Sequence, residues 1–64
     1  MPLVEVTLVE GRTPQQLRAL ITALTDSVEG TLGARREAVR VVVREVPDTH
    51  WAAGDVTIAE RKDT

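Results

Sequence analysis

The sequence predicts an α+β fold: one β-α-β unit with parallel strands, followed by a short C-terminal hairpin or strand. Three observations carry this expectation. An alternating, β-branched run opens the chain, a capped amphipathic stretch of helical period follows, and a valine-rich run comes after it. A strand, a helix of about 18 residues and a second strand form the unit in which the strands run parallel, joined by a right-handed crossover.

Leu3 to Val9 places Val4, Val6 and Leu8 on one face and Leu3, Glu5, Thr7 and Val9 on the other, the period of a strand with one apolar face. Pro2 lies just ahead of it, where a missing N–H and a fixed φ do no harm. Glu10-Gly11-Arg12 breaks the strand. Thr13-Pro14-Gln15-Gln16 then combines three helix-start signals: Thr as N-cap, Pro at the first helical position, and Gln three residues after the cap.

The helix is expected to run to about Leu32, with Leu17, Leu20, Ile21, Leu24, Val28 and Leu32 at core spacing and Gly33 ending it. A second line of small residues, Ala19, Ala23, Ser27 and Gly30, lets another helix approach closely. The second strand is read as Ala38 to Val46. Val39, Val41 and Val43 face the helix, Arg40, Val42, Arg44 and Val46 point away, and Pro47 stops the strand. Asp48-Thr49 and Ala53-Gly54-Asp55 read as turns, Val56-Thr57-Ile58 as a short terminal strand, and Glu60 to Thr64 as a loose tail. No linker, repeat or low-complexity segment divides residues 1–64, which form a single domain.

A chain of 64 residues buries only about 60% of its unfolded surface and is marginal alone. With no cysteine and one histidine, neither disulfides nor a thiolate metal site can supplement the core. Oligomerisation is the remaining staple. One helix over two parallel strands leaves a sheet face bare, and Leu3, Val9, Val42 and Val46 interleave there with Glu5, Arg40 and Arg44. That face reads as a subunit interface. A net charge of −2 and a single aromatic residue argue against nucleic-acid binding, by phosphate neutralisation or by base stacking. No apolar run approaches the roughly 20 residues of a membrane span and no signal-like segment opens the chain, so a cytoplasmic location is the default expectation.

Pro2 carries the first chemical signal. Removal of Met1, which a small second residue permits, turns the Pro2 nitrogen from an amide into a secondary amine, and therefore into a base. An α-amino group titrates near 7.7–8.0 in the absence of perturbation, and an apolar setting or nearby guanidinium groups lower that value toward neutrality. Arg12 ends the first strand, about 26 Å from its start at roughly 3.3 Å per residue, beyond the reach of an arginine side chain. Pro2 and Arg12 therefore cannot meet within one chain. A two-fold dimer with its first strands antiparallel would bring them together.

The N-terminal Pro2, Glu10-Gly11-Arg12 closing strand one, Val39-Arg40-Val41 in strand two, and His50-Trp51 before a glycine-containing turn together resemble 4-oxalocrotonate tautomerase, the short-chain branch of the tautomerase superfamily. The resemblance covers nearly the whole chain. It implies a ββαβ-type fold, a homohexamer built as a trimer of dimers, and a cofactor-free keto–enol tautomerase acting on an unsaturated 2-oxo or 2-hydroxy acid such as 2-hydroxymuconate. By the same resemblance Pro2 is the general base. Arg12 and Arg40, from neighbouring subunits, bind the substrate carboxylate and polarise the 2-oxo group. Trp51 stands where the family has phenylalanine, as a bulkier apolar wall.

Rival readings attach to the same residues. Arg44 reads as an ordinary exposed strand charge and His50 as a surface or hydrogen-bonding residue; Trp51 also suits core or interface packing. Arg61 and Lys62 receive no role. Relatives that add water to unsaturated acids carry a carboxylate two residues beyond the aromatic, where this chain has Ala53. Asp55 is the nearest substitute in sequence. A hydratase- or dehalogenase-type activity and a catalytically silent oligomeric binding module are the alternatives to the tautomerase reading.

Overall fold

The computed structural model describes residues 1–62. Strand β1 (Leu3–Val9) is followed by helix α1 (Pro14–Leu32), a 3₁₀ turn (Arg36–Ala38), strand β2 (Arg40–Val46) and a second 3₁₀ turn (Asp48–His50). Strands β3 (Ala52–Ala53) and β4 (Val56–Thr57) form a hairpin that leads directly into helix α2 (Ile58–Lys62). β1 and β2 pair in parallel from Leu3↔Arg40 to Val9↔Val46, and β3 pairs antiparallel with β4. This is the α+β class read from the sequence, with the hairpin at the C-terminal end. The ββαβ order implied by the resemblance is not realised, because no strand precedes β1 among the described residues.

Helix α1 starts where its sequence signals place it. The Gln16 backbone N–H donates to Thr13 Oγ1 at 3.1 Å, and the Thr13 backbone N–H donates to Gln16 Oε1 at 2.9 Å. This reciprocal cap satisfies two helix-end donors, with Pro14 in the first turn. At the other end the Gly33 N–H donates to the Glu29 carbonyl at 3.0 Å. Leu17, Leu20, Ile21, Leu24 and Val28 are half-buried against the sheet, whereas Leu32 is 68% exposed. The last turn of α1 overhangs its support.

The second strand begins two residues later than its valine pattern predicts. The backbone N–H groups of Ala38 and Val39 donate to Arg35 and Arg36, at 2.9 and 3.2 Å, so they are spent in the 3₁₀ turn. The ladder starts with Arg40 N–H donating to the Pro2 carbonyl at 2.9 Å. Arg36 Nη1 donates to both Asp26 (2.7 Å) and Glu29 (3.0 Å), fastening this turn to α1. Those two carboxylates raise the Arg36 pKa further above its ordinary value.

The C-terminal segment departs most from expectation. Ile58 opens α2 instead of closing a strand, and Glu60 to Lys62 are helical instead of loose. The reason lies in Thr57-Ile58-Ala59-Glu60, a second reciprocal cap. The Glu60 N–H donates to Thr57 Oγ1 at 3.1 Å and the Thr57 N–H donates to Glu60 Oε1 at 3.0 Å. Hydrogen bonding to the Thr57 side chain, then to its backbone, lowers the Glu60 pKa below its ordinary value. Residues 63–64 of the expected tail lie outside the described residues.

Strand alternation divides the sheet into two unequal faces. Val4, Val6, Leu8, Val41 and Val43 are half-buried beneath α1, while Leu3 (57% exposed) and Val42 lie open on the other side. On that open face Arg44 Nη1 donates to Glu5 Oε2 at 2.9 Å. No described residue is fully buried. The radius of gyration is 15.1 Å, against about 11 Å for a compact chain of this length. The single chain therefore has a half-core, one helix against two strands.

Two outcomes follow from this architecture. If a second copy completes the core, the thermal unfolding midpoint will rise with protein concentration across a dilution series; a midpoint independent of concentration would mean that the lone chain is sufficient. Because the folded-state pKa of Glu60 is lowered, the stabilisation it gives is present above the ordinary glutamate value of about 4.3 and is lost as pH falls through the depressed one. Amide exchange in α2 will accelerate in that acid window, and Glu60→Gln, which keeps an acceptor at the cap, will abolish the pH step.

Candidate active site

The parallel sheet has two chemically distinct ends. At the end where both strands begin, the Arg40 N–H bond to the Pro2 carbonyl sets these two residues side by side. Arg40 alternates with the helix-facing Val41 and Val43, so it lies on the open face. Its Nη1 donates to the Glu37 carbonyl at 2.7 Å, holding the guanidinium against the preceding turn. Met1 is 88% exposed and precedes the half-buried Pro2.

At the end where both strands finish, Glu10 N–H donates to the Val46 carbonyl at 2.9 Å. The backbone then turns through Gly11 at φ 136°, a conformation L side chains rarely adopt. That turn delivers Arg12, whose Nη1 donates to the Val9 carbonyl at 2.9 Å. Pro47 and the 3₁₀ turn Asp48–His50 follow the same end of β2 and lead to Trp51, 39% exposed, whose carbonyl accepts the Ile58 N–H at 3.0 Å.

The structure thus groups Pro2 with Arg40 and places Arg12 and Trp51 beyond the opposite strand ends. A seven-residue ladder separates the groups by about 23 Å at 3.3 Å per residue. One chain holds all four candidate residues and cannot assemble them around one small molecule. A shallow concavity along α1 is lined by Pro14, Gln15, Arg18, Ala19 and Thr22 and includes none of the four.

The remaining chemically tempting residues have structural duties. Asp55 (φ 67°) and Gly54 (φ 58°) form the two-residue loop of the β3–β4 hairpin, a geometry that requires positive φ at both positions. His50 ends a 3₁₀ turn, its N–H donating to the Pro47 carbonyl at 2.9 Å, and its side chain is exposed. Arg44 is paired with Glu5. Arg61 and Lys62 do have partners: Arg61 Nη2 donates to the Ala53 carbonyl at 3.1 Å and Lys62 Nζ to Asp48 Oδ2 at 3.3 Å. Thr-x-x-Glu at positions 57–60 was the available signal for this arrangement. Among the described residues no group of three or more His, Cys, Asp or Glu side chains could hold a metal ion, and no helix is long and apolar enough to cross a membrane.

Comparison with known proteins gives a consistent result. The family model described as tautomerase enzyme matches residues 2–61. A probable tautomerase of Ralstonia nicotianae is 49% identical over 63 residues, covering 98% of this chain and 90% of the relative. Among solved structures, TomN, a 4-oxalocrotonate tautomerase homologue in the tomaymycin biosynthetic pathway, superposes with a TM-score of 0.96 at 49% identity, over 98% of this chain and 97% of that one. A heterohexamer 4-oxalocrotonate tautomerase from Chloroflexus aurantiacus has a TM-score of 0.90 at 35% identity, over 94% of this chain and 97% of its own.

Proposed function

The chain belongs to the tautomerase family, and from that premise we propose that it is a cofactor-independent keto–enol tautomerase of unsaturated 2-oxo or 2-hydroxy acids such as 2-hydroxymuconate. Pro2, freed by loss of Met1, is the general base. The observation that carries this reading is that the family match begins at Pro2, a residue hydrogen-bonded through its carbonyl to Arg40 at the open start of the sheet.

The chemistry needs only these residue types. The secondary amine takes a proton from the substrate and becomes an ammonium, negative charge moves onto the 2-oxo oxygen as the enolate forms, and the ammonium returns the proton at another position of the conjugated system. No proton is gained or lost overall. Guanidinium groups aimed at the oxyanion stabilise the charge as it develops, and the same positive charge favours the neutral form of the Pro2 amine. Arg12 reaches the site from a neighbouring copy whose β1 runs antiparallel, and Arg40, which begins β2, comes from a neighbouring subunit as well. Arg12 and Arg40 bind the substrate carboxylate and polarise the 2-oxo group, and Trp51 supplies an apolar wall that excludes water.

The assembly is a homohexamer, a trimer of dimers. Its support is the open sheet face, the absence of a fully buried residue among those described, and the heterohexameric state of the Chloroflexus aurantiacus relative. Water addition is disfavoured by Ala53 at the position of the activating carboxylate and by the turn duty of Asp55.

The test uses ketonisation of 2-hydroxymuconate and phenylenolpyruvate by protein whose mature N-terminus is verified by mass spectrometry. Pro2→Ala will lower kcat by about 10²–10⁴-fold, and Arg12→Ala and Arg40→Ala will each lower kcat/KM by about 10²-fold or more. Co-refolding Pro2→Ala with Arg12→Ala will restore activity well above either parent, since mixed assemblies contain sites with both native groups. Full activity of the proline variant removes the base. Failure of the mixture to recover removes the shared site, and a wild-type protein inert toward both acids leaves the silent binding module.

A further inference from the structure

Three ties run from the five residues of α2 to the segment that carries Trp51. The Ile58 N–H donates to the carbonyl of Trp51 itself at 3.0 Å. Lys62 Nζ reaches Asp48 in the 3₁₀ turn just before it, and Arg61 Nη2 reaches the Ala53 carbonyl in the strand just after it. A helix this short has no stability of its own in water. It persists because Thr57 and Glu60 cap it reciprocally and because these ties dock both its first and its last residues. Trp51 is only partly covered and lies between the 3₁₀ turn Asp48–His50 and the two-residue strand β3.

We propose that the capped C-terminal turn is a positioning device for Trp51, in which Thr57, Glu60, Arg61 and Lys62 orient the indole wall and so set substrate affinity without touching the substrate. The proposal rests on the reading of Trp51 as a wall of the active site. It gives Arg61 and Lys62 a role that their residue pattern alone does not indicate. A looser wall raises KM, because substrate and transition state lose the same apolar contact, and it leaves kcat nearly unchanged because the base and the guanidinium groups stay in place.

Trp51 is the sole aromatic side chain, so intrinsic fluorescence reports on it alone. Glu60→Ala and Lys62→Ala should each increase acrylamide quenching of Trp51 and raise KM roughly threefold to tenfold, with kcat held within about twofold. Glu60→Gln, which preserves the acceptor as Gln16 does in α1, should match wild type in both. Sedimentation at the working concentration verifies that the assembly is the same in all variants. Unchanged quenching in Glu60→Ala and Lys62→Ala, a Gln variant as impaired as the Ala variant, or a fall in kcat with KM constant would overturn the proposal. Quenching is read without substrate. A wild-type protein lacking turnover would therefore defeat the tautomerase reading, while quenching would still decide whether α2 positions Trp51.

Discussion

A single helix can cover only one side of a two-stranded sheet, and most features of this chain follow from that limit. Under α1 the alternating valines and leucines of β1 and β2 reach partial burial and no further. The opposite face mixes Leu3 and Val42 with the Glu5–Arg44 pair, a composition too apolar for an ordinary solvent face and too charged for a closed core. Exposed ion pairs contribute little to stability.

Parallel pairing imposes a second constraint. Both strands start together and finish together, so chemistry placed at a strand start is held a full ladder away from chemistry placed at a strand end. Pro2 and Arg40 share one end, and Arg12 and Trp51 follow the other. An antiparallel neighbour reverses that polarity, which makes incomplete burial and incomplete chemistry two aspects of the same proposed assembly.

Local devices hold the parts that this assembly would use. Gly11 supplies the backbone turn that presents Arg12, the Arg36 bridge fixes the turn ahead of Arg40, and α2 ties down both flanks of Trp51. None of these requires a large core. Each is a short-range hydrogen bond or a glycine conformation, which suits a chain too small to position residues by bulk packing.

The sequence by itself determined whatever is encoded within a few residues. Thr13-Pro14-Gln15-Gln16 and Gly33 bound α1, and the two-residue alternation of β1 chose its covered face, because caps and periodicity are local physics. The same physics was present in Thr57-Ile58-Ala59-Glu60, but a five-residue helix has too few apolar positions to show a period, and the segment resembled a strand running into a tail. Only the tertiary structure decided that Ala38 and Val39 turn instead of pairing, that Leu32 overhangs, and that α2 docks beside Trp51. Those outcomes depend on which distant backbone is available to accept a hydrogen bond or to bury a side chain, and residue order alone carries no such distance.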